Sequence, residues 1–365
     1  DTILISGDVF DLANPSSEAR QQYYRSLMRL GRLGCSLIIT GGNHDSPAML
    51  NAPAEILKEL NMHVIGGMPE NLEDLIIPLE NKNKEVECVI AAIPYLREAY
   101  LRQANEGQTY EGRLEAIQTG IEQYFSQAAE FCKTKFSGIP AIAMGHLFAT
   151  GAITSESERE IQIGNQAAFN ALRFGGFFNY IALGHIHKPQ QVNATNPTFY
   201  SGSPLPLSFS ERNDEKRVLL LDTTETWNPK SLPIPVFRGL LKISGNLQEL
   251  KNKLNSLGKP NELDSLIEVE LREKQYDATK ILGLDELVST FHKPGFEIVK
   301  HRATFENQIQ GTAELYKGGE QLENLNPREV FLELLSAHQY DENIENELQY
   351  AFDELLEEIY SEGNN

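Results

Sequence analysis

The sequence is poor in cysteine: its 365 residues hold three, Cys35, Cys88 and Cys132. An odd number, far apart and without a CxxC pair, excludes a disulfide framework and a thiolate-rich structural zinc site. They read as free thiols of a reducing compartment, which places the chain in the cytoplasm. No run approaches the roughly 18 consecutive apolar residues of a membrane helix, so no membrane partner is expected. No signal peptide opens the chain, and internal repeats and low-complexity tracts are lacking. Basic residues are short too, with 32 Lys+Arg against 52 Asp+Glu and a net charge of −20. Such a balance argues against nucleic acid, whose phosphates are held largely by Lys and Arg. The deficit is uneven, however. Residues 319–365 carry 13 acidic side chains and 1 basic, whereas residues 228–318 carry 12 and 13. The objection therefore weakens outside the tail, although residues 1–227 still hold 27 acids against 18 bases.

What is present is ordinary for a folded protein, 41% hydrophobic and 23% charged, at a length that suits two or three domains. The chain begins inside an apolar run, DTILISGDVFD, and reads as starting mid-domain, with residues expected upstream. Residues 1–227 alternate short apolar runs (TILIS, CSLIIT, ECVIAAIPYL, IPAIAM, FNYIAL, PTFYSGS, KRVLLLD) with helical patterns at SSEARQQYYRSLMRLGRLG and near 111–135. Continuous apolar runs bounded by glycine predict strands buried on both faces, covered by helices or a second sheet. Pro229, Pro233 and Pro235 mark a boundary after Trp227. Residues 228–318 follow as a small α/β domain, in which SLIEVELR alternates as a half-exposed strand with Ile267, Val269 and Leu271 inward. The tail, 319–365, reads as two helices. Asn326, Pro327 and Glu329 give a helix start, and Leu348, Phe352, Leu355, Leu356 and Ile359 share one face opposite an acidic one. It either packs on its own protein or docks onto a partner's helices.

Histidine is scarce, 8 in all, yet two stand one residue apart in ALGHIHKPQ, 182–190. The ends of the other apolar runs explain why. TILIS ends in Gly7-Asp8, CSLIIT in Gly41-Gly42-Asn43-His44-Asp45, AIAM in Gly145-His146, and YIAL in Gly184-His185-Ile186-His187. Four strands each stop at glycine followed by a residue able to bind metal. In α/β sheets, ligand sites gather outside the carboxyl ends of strands, and glycine allows close approach of backbone there. Carboxylate, amide oxygen and imidazole without thiolate suit Mn²⁺, Fe²⁺ or Zn²⁺. One carboxylate can bridge two ions, the arrangement that serves phosphoryl transfer.

GDVFD, GNHDSPAMLN, GHLF, IQIGNQAAF, YIALGHIHKPQ and YSGSPLPLSFSE, in that order, resemble the calcineurin-like metallophosphoesterases, and within them the SbcD nuclease subunits of bacterial DNA-repair complexes. The likeness is close over about the first 220 residues and looser beyond. It implies a metallophosphoesterase β-sandwich flanked by helices over 1–227, a capping domain over 228–318 and an ATPase-binding helical tail over 319–365. It also implies a DNA nuclease, exo- and endonucleolytic at double-stranded ends and hairpins, acting in repair and recombination. Two Mn²⁺ ions are expected, with Mg²⁺, Fe²⁺ or Zn²⁺ possible. The implied partners are DNA and the SMC-like ATPase SbcC, in a heterotetramer built on a homodimer of this chain. In this likeness Asp8 bridges the ions. Asn43, His146 and His185 complete one metal site and His187 serves the other. His44 is the general acid, with Asp45 orienting it, and Asp11 lies behind the ligands or in a turn. Members of the family begin with a strand ending in Asp-x-His, which is expected upstream of residue 1. Rival readings are another phosphoesterase of the same fold and a non-catalytic scaffold; GNHD and Asp11-Leu12 depart from the protein-phosphatase patterns GNHE and GDxxDR. Lys188 is a candidate phosphate contact. Gly202-Ser203-Pro204 reads as a turn, and Arg20, Tyr23, Tyr24 and Arg25 as a solvated helix face. His63, His292, His301 and His338 read as structural or exposed.

Overall fold

The computed structural model describes residues 1–101, 109–155, 158, 168–224 and 226–305, together with 331, 332, 335, 344, 346–353 and 355 in the tail. The chain is α/β. Its elements begin with β1 (Thr2–Ser6), α1 (Ser17–Gly31), β2 (Ser36–Thr40), α2 (Pro47–Asn51), α3 (Ala54–Lys58), β3 (Met62–Ile65), β4 (Ile76–Glu80), β5 (Val86–Ala92), α4 (Glu98–Leu101) and α5 (Tyr110–Lys135). They continue with β6 (Ala141–His146), β7 (Tyr180–Gly184), β8 (Gln190–Gln191), β9 (Thr198–Tyr200), β10 (Arg217–Leu220) and β11 (Lys230–Pro233). Then come β12 (Arg238–Gly245), α6 (Leu247–Asn255), β13 (Leu263–Glu273), α7 (Ala278–Thr290) and β14 (Phe296–Phe305).

Two compact units result: 1–242 with 258–268 and 292–299, and 243–257 with 269–291 and 300–365. In the first, β1-β2-β3 form a parallel sheet and β4-β5-β6-β7-β9-β8 a mixed one whose centre, β5 to β9, is parallel. Alternation along each strand explains the layers, because successive side chains point to opposite faces. In β2, Ile38 faces Ile77, Ile90, Ile142, Met144 and Tyr180 of the larger sheet. Its neighbours Leu37 and Ile39 point the other way, onto Leu27 of α1, Leu50 of α2 and Leu57 of α3. On the outer face of the larger sheet, Val89, Ala91, Ala141, Ala143, Ile181 and Leu183 pack with Ile117, Ile121, Phe125 and Ala128 of α5. The expectation of apolar runs buried on both faces is thus met by helices outside and a second sheet inside. Burying each Leu, Ile or Phe removes it from water for about 1.5–3 kcal/mol.

Helix starts are chemically marked. Ser16 Oγ accepts from Ala19 N at 3.2 Å ahead of α1, and Asn246 with Glu249 forms a reciprocal capping box on α6. The three-stranded sheet β12-β13-β14 departs from the sequence reading in one respect. Ile267, Val269 and Leu271 are buried as expected, but Glu268 and Glu270 on the opposite face are buried too. Each has cationic partners: Lys242 lies 3.7 Å from Glu268, while Arg272 and Arg302 reach Glu270 at 2.8 and 2.9 Å. In the tail, the Phe331 and Phe352 rings stack at 3.9 Å. Leu348, Phe352 and Leu355 are helical, and Leu348 and Leu355 are exposed. Leu356, Ile359, the start signal at 326–329 and His338 lie outside the described residues. Among the described residues no helix is long and apolar enough to cross a membrane.

Candidate metal centre

Parallel pairing brings the strand ends together. Ser6 pairs with Thr40, and His146 with Gly184, so the residues following each strand emerge at one edge. The two sheets meet there: Ser6 Oγ donates to the Ala182 carbonyl at 3.2 Å, and His146 Nδ1 lies 2.9 Å from the Ser6 carbonyl. That approach depends on glycine. A Cβ on Gly184 would sit 1.6 Å from the Ser6 carbonyl oxygen, and one on Gly7 would sit 2.1 Å from His146 Nδ1. The chain then turns sharply, with Asp8 at φ +51° and His185 at φ +99°. Left-handed backbone at non-glycine residues costs about 1–3 kcal/mol and persists only where the surroundings fix it.

Asp8, His146 and His185 converge, one ligand atom of each lying within 4.8 Å of the others. Asn43 joins them, its Oδ1 2.9 Å from His146 Nε2, while Asp8 Oδ2 lies 3.2 Å from the same nitrogen. A carbonyl oxygen only accepts, so His146 Nδ1 carries the hydrogen it gives to Ser6. Nε2 then faces two oxygens, a geometry that requires a proton or a cation at that point. Burial opposes protonation of His146, but the charge of Asp8, its hydrogen bond and the Ser6 carbonyl outweigh it and raise the pKa. Burial would likewise raise the Asp8 carboxyl, yet His146, then His44, hold it down at about 2. His185 has no such help. Both its ring nitrogens are buried with no hydrogen-bond partner among the described residues, and burial, then His146, push its pKa down to about 3. A buried polar group left unpaired costs about 1–3 kcal/mol, and an imidazole beside a carboxylate, an amide oxygen and a second imidazole fits a divalent cation.

The neighbouring loop differs from expectation in one contact. Asp45 does not bond to His44. Its carboxylate accepts from Gly42 N at 2.8 Å, Phe10 N at 2.9 Å and Val9 N at 3.1 Å, tying the two ligand loops together. The group on His44 Nδ1 is instead the Asp11 carbonyl at 2.9 Å, with the exposed Asp11 carboxylate at 3.4 Å. The Asp45 oxygens are thus turned to the amides and not to the ring. Backbone His44 N donates to Asp8 Oδ1 at 3.1 Å, which seats the imidazole beside the cluster.

His187 stands apart from the three converging ligands, its Nδ1 being 3.1 Å from Glu211 Oε1. Lys188 is half-buried, with its carbonyl accepting from Gln190 Nε2 at 3.1 Å. Sequence reasoning gave Glu211, Lys216 and Glu158 no role. The signals were faint: an acid ending the apolar string PLPLSFSE, and a lysine five residues on. Ser203, read as part of a turn, also belongs to this group, donating to Glu211 Oε2 at 3.3 Å. His63 sits on β3 and His301 meets Asp285 at 3.2 Å, and neither is among the converging ligands.

Comparison with known proteins follows the same line. Residues 236–339 match the family model of the type 5 capsule protein repressor C-terminal domain, SbcD_C. The SbcD chain of the Escherichia coli (strain K12) nuclease SbcCD is 33% identical over 99% of this chain and 89% of that protein. Its namesake in Rhodobacter capsulatus is 33% identical over 64% of this chain and 60% of that one, and the Bacillus subtilis one 32% over 61% and 56%. At that identity and coverage, the chain belongs to the SbcD family, the nuclease subunits of SbcCD.

Proposed function

We propose that this chain is the metal-dependent nuclease subunit of a complex with an SMC-like ATPase, hydrolysing phosphodiesters at DNA ends. Family membership makes it a nuclease subunit; the observation that carries the metal is His185, a buried imidazole with two unpartnered nitrogens beside Asp8 and His146. Asp8, Asn43, His146 and His185 would hold one Mn²⁺-class ion, and His187 would serve a second. Bound there, such ions supply Lewis acidity toward the phosphate and lower the pKa of water. The chain's own groups do the rest. Asp45 fixes the GDVFD loop against the GNHD loop through the Val9 and Phe10 amides, so Asp8 and Asn43 keep their separation. His44 gives its Nδ1 hydrogen to the Asp11 carbonyl at 2.9 Å, with the Asp11 carboxylate 3.4 Å away. A proton carried on Nε2 would be the one given to the departing oxygen, a general-acid role worth about 10²–10⁴ in rate. Lys188 would contact substrate phosphate. The nuclease domain at 1–227, the cap at 228–318 and the partner-binding tail at 319–365 belong to the same reading. Exposed Ile344, Leu348 and Leu355 support tail docking, and a homodimer within a heterotetramer is its expected assembly.

The test is Mn²⁺-dependent cleavage of end-labelled duplex DNA by the full chain and by His44→Ala. Cleavage by the wild type, reduced at least a hundredfold in the variant, is expected. Hydrolysis of a small phosphodiester without cleavage of DNA would favour another phosphoesterase of this fold. No hydrolysis with Mn²⁺ bound would favour a scaffold.

A further inference from the structure

One further strand end lies at this edge. β5 runs parallel to β6, and β6 to β7, so the loop after β5 emerges beside His146 and His185. That loop, Ile93-Pro94-Tyr95-Leu96-Arg97, holds no carboxylate, amide or histidine side chain, and so carries no ligand signal in the sequence. Its course is fixed all the same. Ile93 and Leu96 are buried in the core that α5 covers, and Tyr95 N donates to the Gly41 carbonyl at 2.8 Å. The Tyr95 ring stands edge-on to the His146 ring, with centroids 6.2 Å apart.

Arg97 is exposed, yet it reaches back to the GNHD loop. Its Nη2 lies 3.4 Å from the carbonyl oxygen of Asp45, the residue after His44. That contact is long and its acceptor uncharged, so it holds the guanidinium loosely. Among the described residues no carboxylate pairs with Arg97. Nearby charges are spent on each other: Glu98 pairs with Arg113 at 2.9 Å, and Lys216 with Glu211 at 2.6 Å. An arginine without a carboxylate is unexpected where acids outnumber bases 27 to 18, as they do over residues 1–227. A guanidinium carries five N–H donors in a fork that fits two phosphate oxygens at once. On the other side of β6, the loop after β7 carries Lys188. The two cationic residues thus stand in the loops on either side of the strand that delivers His146.

We propose that Arg97 is a substrate-binding residue that grips the backbone phosphate next to the scissile one, exchanging the Asp45 carbonyl for two phosphate oxygens. Its contact is with the main chain beside His44 and not with Asp8, His146 or His185, so the phosphate it takes is the neighbour of the one over the ions. The proposal rests on the reading of the chain as a DNA phosphodiesterase.

The test compares full-length wild type, Arg97→Ala and Arg97→Lys in two Mn²⁺-dependent reactions. One is cleavage of end-labelled duplex DNA; the other is hydrolysis of bis-p-nitrophenyl phosphate, which has one phosphate and no neighbour. Arg97→Ala should raise KM for DNA about tenfold, the loss of one charged hydrogen bond, and leave kcat unchanged. It should also lower the slope of log KM against log salt by about one. Arg97→Lys keeps the charge without the fork, so the slope should return and the affinity only in part. Small-ester hydrolysis and calorimetric Mn²⁺ affinity should match wild type in both variants. If Arg97→Ala cleaves DNA with wild-type KM and salt slope, the proposal is overturned and the nuclease reading stands. If it loses small-ester hydrolysis or Mn²⁺ affinity as well, Arg97 serves to prop the GNHD loop, and the phosphate contact is overturned. If wild type with Mn²⁺ bound leaves DNA intact, the nuclease reading falls and takes this proposal with it.

Discussion

Replacing His185 by leucine should stabilise the metal-free protein while removing its metal response. The imidazole is 5% exposed and neither ring nitrogen has a partner among the described residues. Each unmet buried polar group costs about 1–3 kcal/mol, and an apolar side chain of similar size has none to satisfy. Leucine carries the same Cβ, so the strain at φ +99° cancels between the two proteins. A gain of about 2 kcal/mol at pH 7 is expected. Acid should widen the gap. His185 titrates at about 3 in the folded chain against 6.5 unfolded. Between those values the unfolded chain binds a proton that the native chain does not, so stability falls as pH falls. The loss amounts to about 2 kcal/mol from pH 7 to pH 5 and about 4 kcal/mol by pH 3, with a ceiling of about 5 kcal/mol below that. The leucine variant is free of this contribution. Urea titration in EDTA can follow the change through Trp227, the single tryptophan, which packs against the core between the sheets. Mn²⁺ at a hundredfold its Kd should then add about 2.7 kcal/mol to the wild type, and far less to the variant. A leucine variant less stable than wild type in EDTA at pH 5 would show that the ring nitrogens are satisfied in solution, and the reasoning would fail.

Other outcomes follow from single contacts. Asp45→Asn turns an acceptor of three amides into a group with one oxygen and one donor. It should cost about 2–3 kcal/mol and speed hydrogen exchange at Val9, Phe10 and Gly42; unchanged exchange would refute the bridging role. Gly184→Ala places a methyl 1.6 Å from the Ser6 carbonyl oxygen, and a soluble variant with wild-type Mn²⁺ affinity would contradict that packing. Asn246→Ala removes the capping box of α6. It should lower exchange protection within 247–255 by about 1 kcal/mol and leave DNA cleavage as it was.

The strand ends were legible because chemistry and position coincide at them. Glycine followed by a ligand-type residue after each apolar run places Asp8, Asn43, His146 and His185 at one edge, and parallel pairing brings three of them within reach of one ion. What surrounds them was not legible. Glu211 meets His187 across 24 residues that hold two short strands, β8 and β9, and no period that links the two. Asp45 sits beside His44 in sequence yet spends its oxygens on amides from another loop. Glu268 and Glu270 follow the alternation of an exposed face, and only the cations of neighbouring strands reveal why they are buried. Periodicity reports which face is covered when apolar contacts cover it; it is silent where ion pairs do.

The seam between the sheets has a mechanical consequence. Asp8 and Asn43 are delivered by the small sheet, His146 and His185 by the large one, and the Ser6 carbonyl bridges them. One residue of strand advances the chain by about 3.3 Å, more than the 2.9 Å that separates Asn43 from His146. A slip of the sandwich by a single residue would therefore dismantle the site while leaving both sheets intact. An ion held across that seam would act as a rivet. Its occupancy would report the alignment of the two layers, and its removal would loosen the joint before either sheet began to melt.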